Sequence, residues 1–260
     1  MELNPVDLYY EEYGRGIPVV FLHGFPFDHT IWEPLIPILE NEARMILPDL
    51  RGFGRSPVTD GIYSMRLLAE DTVHLMDRLD IEKAVIVGHS MGGYASLAFA
   101  QAYPGRLLGL GLIATHSAAD TPERRQARQK LAESVQHKGA RVVASNLVNS
   151  LTPKKELIEQ INELILRAHP TGIAGALRGM AERHDLTGEL SNISVPAVVI
   201  VGKSDQLLPR ETVETMAQML SRGWLVDIPD AGHMLTMEDP QAVAGALRQM
   251  FNMAEKTVEK

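Results

Sequence analysis

The chain has no cysteine in 260 residues, so disulfides, thiolate metal sites and thiol redox switches are excluded. Aromatic residues are scarce, at 5%. None occurs between Tyr103 and Trp224, so a pocket wall built from that stretch has to be aliphatic. No apolar run approaches the ~18 residues of a membrane span. Met1–Pro5 also lacks the basic start and apolar run of a secretory signal. Positive charge is in deficit: 25 Lys and Arg against 33 Asp and Glu leave a net charge of −8. That balance repels a phosphate backbone and argues against a nucleic-acid partner. One basic cluster, Arg124, Arg125, Arg128 and Lys130, is interleaved with small residues at helical spacing and reads as a solvated helix face. What remains is a cytoplasmic enzyme or binding protein, monomeric or homodimeric, without membrane or nucleic-acid partners.

Hydrophobic residues make up 45% and charged residues 22%, the composition of an ordinary globular chain. Only Ala254 to Lys260 reads as a polar, frayed tail. Short apolar runs alternate with helical patterns, which predicts a mostly parallel sheet covered on both faces. Candidate strands are Asp7–Glu11, Val19–Leu22, Arg44–Leu47, Ala84–Val87, Leu107–Ile113, Ala197–Val201 and Leu225–Ile228. Ser64–Leu79 carries an amphipathic helical pattern. Between about Ala118 and Glu189 the strands vanish and three or four helices follow one another. There Thr121-Pro122 and Thr152-Pro153 each read as an N-cap followed by a first-turn proline.

The strongest chemical signal is Gly88-His89-Ser90-Met91-Gly92-Gly93, between the run Ala84–Val87 and the helix-compatible Tyr94–Ala102. A nucleophilic hydroxyl raised above a sheet needs a sharp, strained turn, and side chains at Gly88 and Gly92 would collide there. The following helix would aim its first N–H groups, Met91 among them, at a developing oxyanion. Activating Ser90 takes a base and an acid to orient that base. Asp205 directly follows one strand, and His233 lies in a turn-prone segment after the last strand. Of the rival acids, Asp227 falls inside a strand and Asp230 is too near His233. His89 should point away from Ser90, while His116, His137, His169 and His184 fall at or within the helical stretch. A second oxyanion donor is expected from the loop Leu22-His23-Gly24-Phe25-Pro26. Phe25 would offer its N–H, Gly24 would permit close approach, and His23 would hold the loop by a hydrogen bond.

These pieces, with Asp49-Leu50-Arg51-Gly52-Phe53-Gly54-Arg55-Ser56, resemble the α/β-hydrolase superfamily over essentially the whole chain. Within it the chain is most similar to small carboxylesterases and enol-lactonases of the 3-oxoadipate type, through His23–Trp32. The resemblance implies an α/β-hydrolase fold with a mostly parallel sheet of about eight strands. It implies a core of residues 1–117 and 190–260 with a helical cap over the active site at 118–189. It also implies that Asp49–Ser56 is a structural loop whose Asp49–Arg51 pair lies outside the triad. His89 stands where those lactonases carry an apolar residue, and the cap lacks aromatics, which favours a plain esterase. Aspartate replaces the serine in haloalkane dehalogenases and epoxide hydrolases; perhydrolases and C–C hydrolases keep the serine and stay open. The expected substrate is a small ester or lactone, with no metal and no organic cofactor.

Overall fold

The computed structural model describes residues 4–258. Met1–Leu3 of the N-terminal segment, with Glu259 and Lys260 of the expected tail, lie outside the described residues. The strands are β1 (Tyr10–Tyr13), β2 (Ile17–Leu22), β3 (Ala43–Pro48), β4 (Ala84–His89), β5 (Leu107–Ile113), β6 (Ala197–Gly202) and β7 (Gly223–Ile228). They form one sheet in the order β1-β3-β2-β4-β5-β6-β7. Only β1 is antiparallel to its neighbour.

The resemblance implied about eight strands; seven occur among the described residues. Ahead of β1 the N–H groups of Val6 and Tyr9 go to side chains, though the Tyr9 carbonyl still accepts the Asp49 N–H at 2.9 Å. The Val6 N–H donates to Asp71 and the Tyr9 N–H to Ser56, each at 2.9 Å. The first strand accordingly begins at Tyr10 rather than Asp7. Every residue of β4 and β6 is buried, so both faces of the central sheet are covered, as their unbroken apolar runs require.

Helices α1 (Ile36–Leu39), α2 (Met65–Arg78) and α3 (Met91–Ala102) come before β5. Ser64 caps α2 by accepting the Leu67 N–H. Between β5 and β6 lie α4 (Pro122–Lys138), α5 (Arg141–Leu151), α6 (Ile158–Arg167) and α7 (Pro170–Ala181), without a strand among the described residues. Thr121 caps α4 with Pro122 in the first turn, as its spacing predicts. Thr152-Pro153 does not start a helix: Thr152 ends α5, and its hydroxyl accepts the Lys154 N–H at 3.0 Å. A Ser/Thr turn competes successfully with the helical cap there.

Helix α7 lies against the loop that includes Gly52 and Tyr63, because Gly172, Gly175 and Gly179 offer bare backbone on that side. A Cβ at Gly172 would sit 1.9 Å from the Gly52 carbonyl oxygen, and one at Gly179 1.6 Å from that of Tyr63. The Tyr63 N–H donates to the Gly175 carbonyl at 3.0 Å.

Helices α8 (Arg210–Met219), α9 (Leu235–Glu238) and α10 (Pro240–Val258) complete the chain. The expected frayed tail is helical through Val258, and Ala254 is fully buried. The apolar face of α10 packs along β5 and β6, so burial of that face outweighs terminal fraying. No helix among the described residues is long and apolar enough to cross a membrane.

Candidate active site

Ser90 stands between β4 and α3 with φ 52 and ψ −110, a left-handed backbone that costs an L-residue free energy and is held only where neighbours impose it. They do so here by contact. A Cβ at Gly92 would lie 2.0 Å from the Leu22 carbonyl oxygen, and one at Gly88 would lie 2.3 Å from that of Gly92. The Ser90 N–H donates to the Ile113 carbonyl at 2.8 Å, and the Thr115 hydroxyl donates to the Ser90 carbonyl at 2.9 Å.

Side chains from two later strand ends meet this serine. His233 Nε2 lies 2.9 Å from Ser90 Oγ, and His233 Nδ1 lies 2.8 Å from Asp205 Oδ2. An ionised carboxylate can only accept, so Nδ1 carries the proton and Nε2 is left to accept the serine hydroxyl. Burial pushes the Asp205 carboxyl up, but the His233 ring and the Leu207 N–H more than offset that and hold it below the usual range. The rivals are engaged elsewhere. Asp227 is paired with Arg210, and Asp230 occupies an exposed turn at φ 57.

In the β2 loop, His23 accepts the Leu50 N–H on Nε2 at 2.8 Å and therefore donates from Nδ1 to the Gly24 carbonyl at 2.9 Å. Burial drives its pKa down, keeping it a neutral tie. Gly24 is required by contact: a Cβ would sit 2.3 Å from His89 Nδ1. Neither the Phe25 nor the Met91 N–H has an acceptor among the described residues. Both residues flank Ser90, and Phe25 lines the same cavity.

Several supporting residues carried no signal in the sequence. His89 makes no contact with Ser90 Oγ among the described residues, but it is not idle. Its Nε2 donates to the His233 carbonyl at 2.7 Å, and its ring meets Trp32 and His233 edge-on. Burial, then the neighbouring His233, pushes its pKa down to about 3. Glu238 accepts the N–H groups on both sides of His233, from Gly232 at 2.5 Å and Met234 at 3.1 Å. The Leu151 carbonyl, at the end of α5, accepts the His233 N–H at 2.9 Å and the Met234 N–H at 3.2 Å. An acid five positions beyond a turn histidine is the only sequence hint for Glu238; the Leu151 contact has none.

A cavity of about 200 Å³ lies over Ser90 and His233. Its walls include Leu131, Leu147, Leu151, Leu177 and Met180, with Phe25 and Tyr94 from the core. The aliphatic wall expected of the helical stretch is therefore present, but it also contains Arg124 and Arg128. The basic cluster is thus not wholly a solvated face. Arg125 and Lys130 are exposed, whereas Arg124, Ala127, Arg128 and Leu131, three and four apart, share the face of α4 turned to the cavity. On the other side of Tyr94 lies a second cavity of about 290 Å³, bordered by His116 and Arg183.

Asp49 and Arg51, which the resemblance sets apart from the triad, do not bond to each other. Arg51 makes a buried two-pronged pair with Asp71 at 2.8 and 2.6 Å. Asp49 accepts from His29 and from the Arg55 N–H. The sequence shows no metal-spaced cluster, yet the fold gathers Asp28, His29 and Asp49, with ligand-type atoms within 4.8 Å of one another. Their atoms are already used: Asp28 caps the turn at Thr30, and Asp49 binds His29 at 2.7 Å.

Residues 19–246 match the alpha/beta hydrolase family. A thermophilic esterase from Thermogutta terrifontis, solved with malate bound, is 40% identical; the alignment covers 96% of this chain and 94% of that one, with a TM-score of 0.93. 3-Oxoadipate enol-lactonase 1 of Acinetobacter baylyi is 28% identical over 86% of this chain and 84% of its own length. The pimeloyl acyl-carrier protein methyl ester esterase of Legionella pneumophila is 29% identical over 88% of this chain and 92% of its own.

Proposed function

The chain belongs to the alpha/beta hydrolase family, and from that footing we propose that it is a serine hydrolase of small carboxylic esters, with Ser90, His233 and Asp205 as its triad. The observation that carries this reading is the unbroken relay from Ser90 through His233 to Asp205, at 2.9 and 2.8 Å, on the floor of a cavity. Esterase relatives point the same way.

In the proposed reaction His233 Nε2 takes the Ser90 proton as Oγ bonds to the ester carbonyl carbon. The Phe25 and Met91 N–H groups hold the resulting oxyanion, at about 3 kcal/mol per donor. Collapse breaks the bond to the alcohol, which leaves with the proton from His233. Water, deprotonated by the same ring, then attacks the acyl-Ser90 ester and releases the acid. Asp205 keeps the imidazole in the right tautomer and stabilises its protonated form. Residues 118–189 serve as the cap.

A fluorophosphonate probe should label the protein at Ser90, and Ser90→Ala should abolish labelling and cut turnover of p-nitrophenyl acetate by about 10⁴-fold or more. Near-normal hydrolysis by that variant overturns the proposal, and failure to label favours a ligand-binding role. A p-nitrophenyl series from acetate to palmitate should favour short chains; an optimum at palmitate refutes that part. The enol-lactonase relative supports a second reading, since a lactone is an internal ester open to the same attack. A lactone panel beside the esters, with a hydrogen peroxide and acetate assay for perhydrolysis, ranks these activities.

A further inference from the structure

The cavity over Ser90 is apolar except along α4, where charge is unevenly matched. The Asp120 side chain is fully buried and faces three guanidiniums: Arg128 at 2.6 Å, Arg183 at 2.8 Å and Arg124 at 3.4 Å. Burial pushes the Asp120 carboxyl up, and the Arg128 and Arg183 charges more than reverse that, so it carries one negative charge against three positive ones. Arg183 is otherwise committed to the Met180 and Ala118 carbonyls and lies over the Tyr94 ring at 4.1 Å. Arg128 is held by Asp120 and the Met180 sulfur.

Arg124 differs from both. Its nearest approach to Asp120 is from Nε at 3.4 Å, its side chain is 39% exposed, and its terminal amino groups make no hydrogen bond among the described residues. No carboxylate other than Asp120 forms an ion pair with Arg124 among the described residues. Glu123 is turned back on Thr121, and Glu182 is exposed without an ion pair to Arg124. Burial, then the Arg183 and Arg124 charges, pushes His116 down to about 4, so it stays neutral.

We infer that the favoured substrate is an ester that also carries a carboxylate, which pairs with the free end of Arg124 while its ester carbonyl lies at Ser90. This rests on the proposed role of Ser90. A protein with net charge −8 repels an anion at long range, whereas a local excess of guanidinium beside a low-dielectric cavity attracts one. The planar fork of Arg124 suits one carboxylate, gripped by two parallel N–H groups.

The test is steady-state kinetics on matched pairs. Monomethyl glutarate and monomethyl adipate are set against the methyl esters of unbranched monocarboxylic acids of equal chain length. 4-Acetoxybutanoate is set against butyl acetate to place the charge on the alcohol side. At least one anionic ester should exceed its neutral partner in kcat/KM by about tenfold, mainly through KM. The ratio should fall to about one in Arg124→Gln and recover in part in Arg124→Lys. Arg125→Gln, on the exposed face, should leave the ratio unchanged. No preference in any pair, a preference retained by Arg124→Gln, or an equal loss in Arg125→Gln overturns the inference. These outcomes are separable from failure of the hydrolase reading, in which p-nitrophenyl acetate is not cleaved or is cleaved equally by Ser90→Ala. Arg124→Gln leaves Asp120 with two cations, so folding is not at stake.

Discussion

At the carboxyl ends of β4, β6 and β7 the polar groups are held by backbone and by short side chains. Ser90 is fixed by Ile113 and Thr115, and the His233 loop by Glu238, His89 and Leu151. In the stretch between β5 and β6 the polar contacts are made by long guanidiniums around Asp120, and the rest of the cavity wall is aliphatic. The first region tolerates little displacement, since its contacts are short and directional. The second is set by packing of interchangeable aliphatic shapes. Under the proposed function, reaction type and substrate choice would therefore reside in different parts of the molecule and answer to different substitutions.

The sharpest way to break this comparison is at Asp205. Asp205→Asn preserves size but lets His233 turn to the wrong tautomer, and kcat should drop by about 10⁴-fold. A loss below tenfold in a p-nitrophenyl acetate assay would mean that the strand-end region is not the rigid unit described.

Acid separates the regions less steeply. His89 has its pKa lowered from 6.5 to about 3 and His116 from 6.5 to about 4. Below pH 6.5 the unfolded chain takes up protons that the native state refuses. The stability due to these groups is thus complete above about 6.5 and is lost as pH falls toward the native values, at about 1.4 kcal/mol per pH unit for each. Urea midpoints from pH 7 to pH 4.5 should fall accordingly, and His116→Leu should make the decline shallower. A flat profile contradicts the neutral burial of both rings.

Glu238→Gln removes one of two acceptors for the His233 loop. It should lower stability by about 1–3 kcal/mol and reduce kcat more than it changes KM. An unchanged thermal midpoint together with wild-type kcat would exclude Glu238 as a positioning residue. Leu147→Ala, in the cavity wall, should have the smallest effect: about a fivefold shift in the butyrate-to-acetate ratio of kcat/KM toward the longer chain. If that ratio stays fixed while acetate turnover collapses, the two regions are not separable.

What could be read from the sequence follows the same division. Gly88, Ser90 and Gly92 are legible because the turn excludes any Cβ at the flanking positions. Asp205 is legible because it closely follows the apolar run of β6, and His233 because it lies in a turn-prone segment five positions past β7. The bond from His89 to the His233 carbonyl spans 144 positions, and no local pattern encodes it. Arg124 and Arg128 share a face with Leu131, but spacing alone cannot say whether that face meets water or a cavity. Thr152-Pro153 is not decided by local sequence, because the same residue pair serves a helix start and a turn. The helical end of α10 is not legible in the sequence, because polar residues hide its buried Ala254 face.

The Leu151 carbonyl, accepting both the His233 and Met234 N–H groups, has a mechanical consequence. Lifting the end of α5 would cost the loop that carries His233 two of its hydrogen bonds and leave it to Glu238 and His89. Under the proposed mechanism that joint acts as an interlock: raising the end of α5 would loosen the ring that serves Ser90, and seating it would restore that ring.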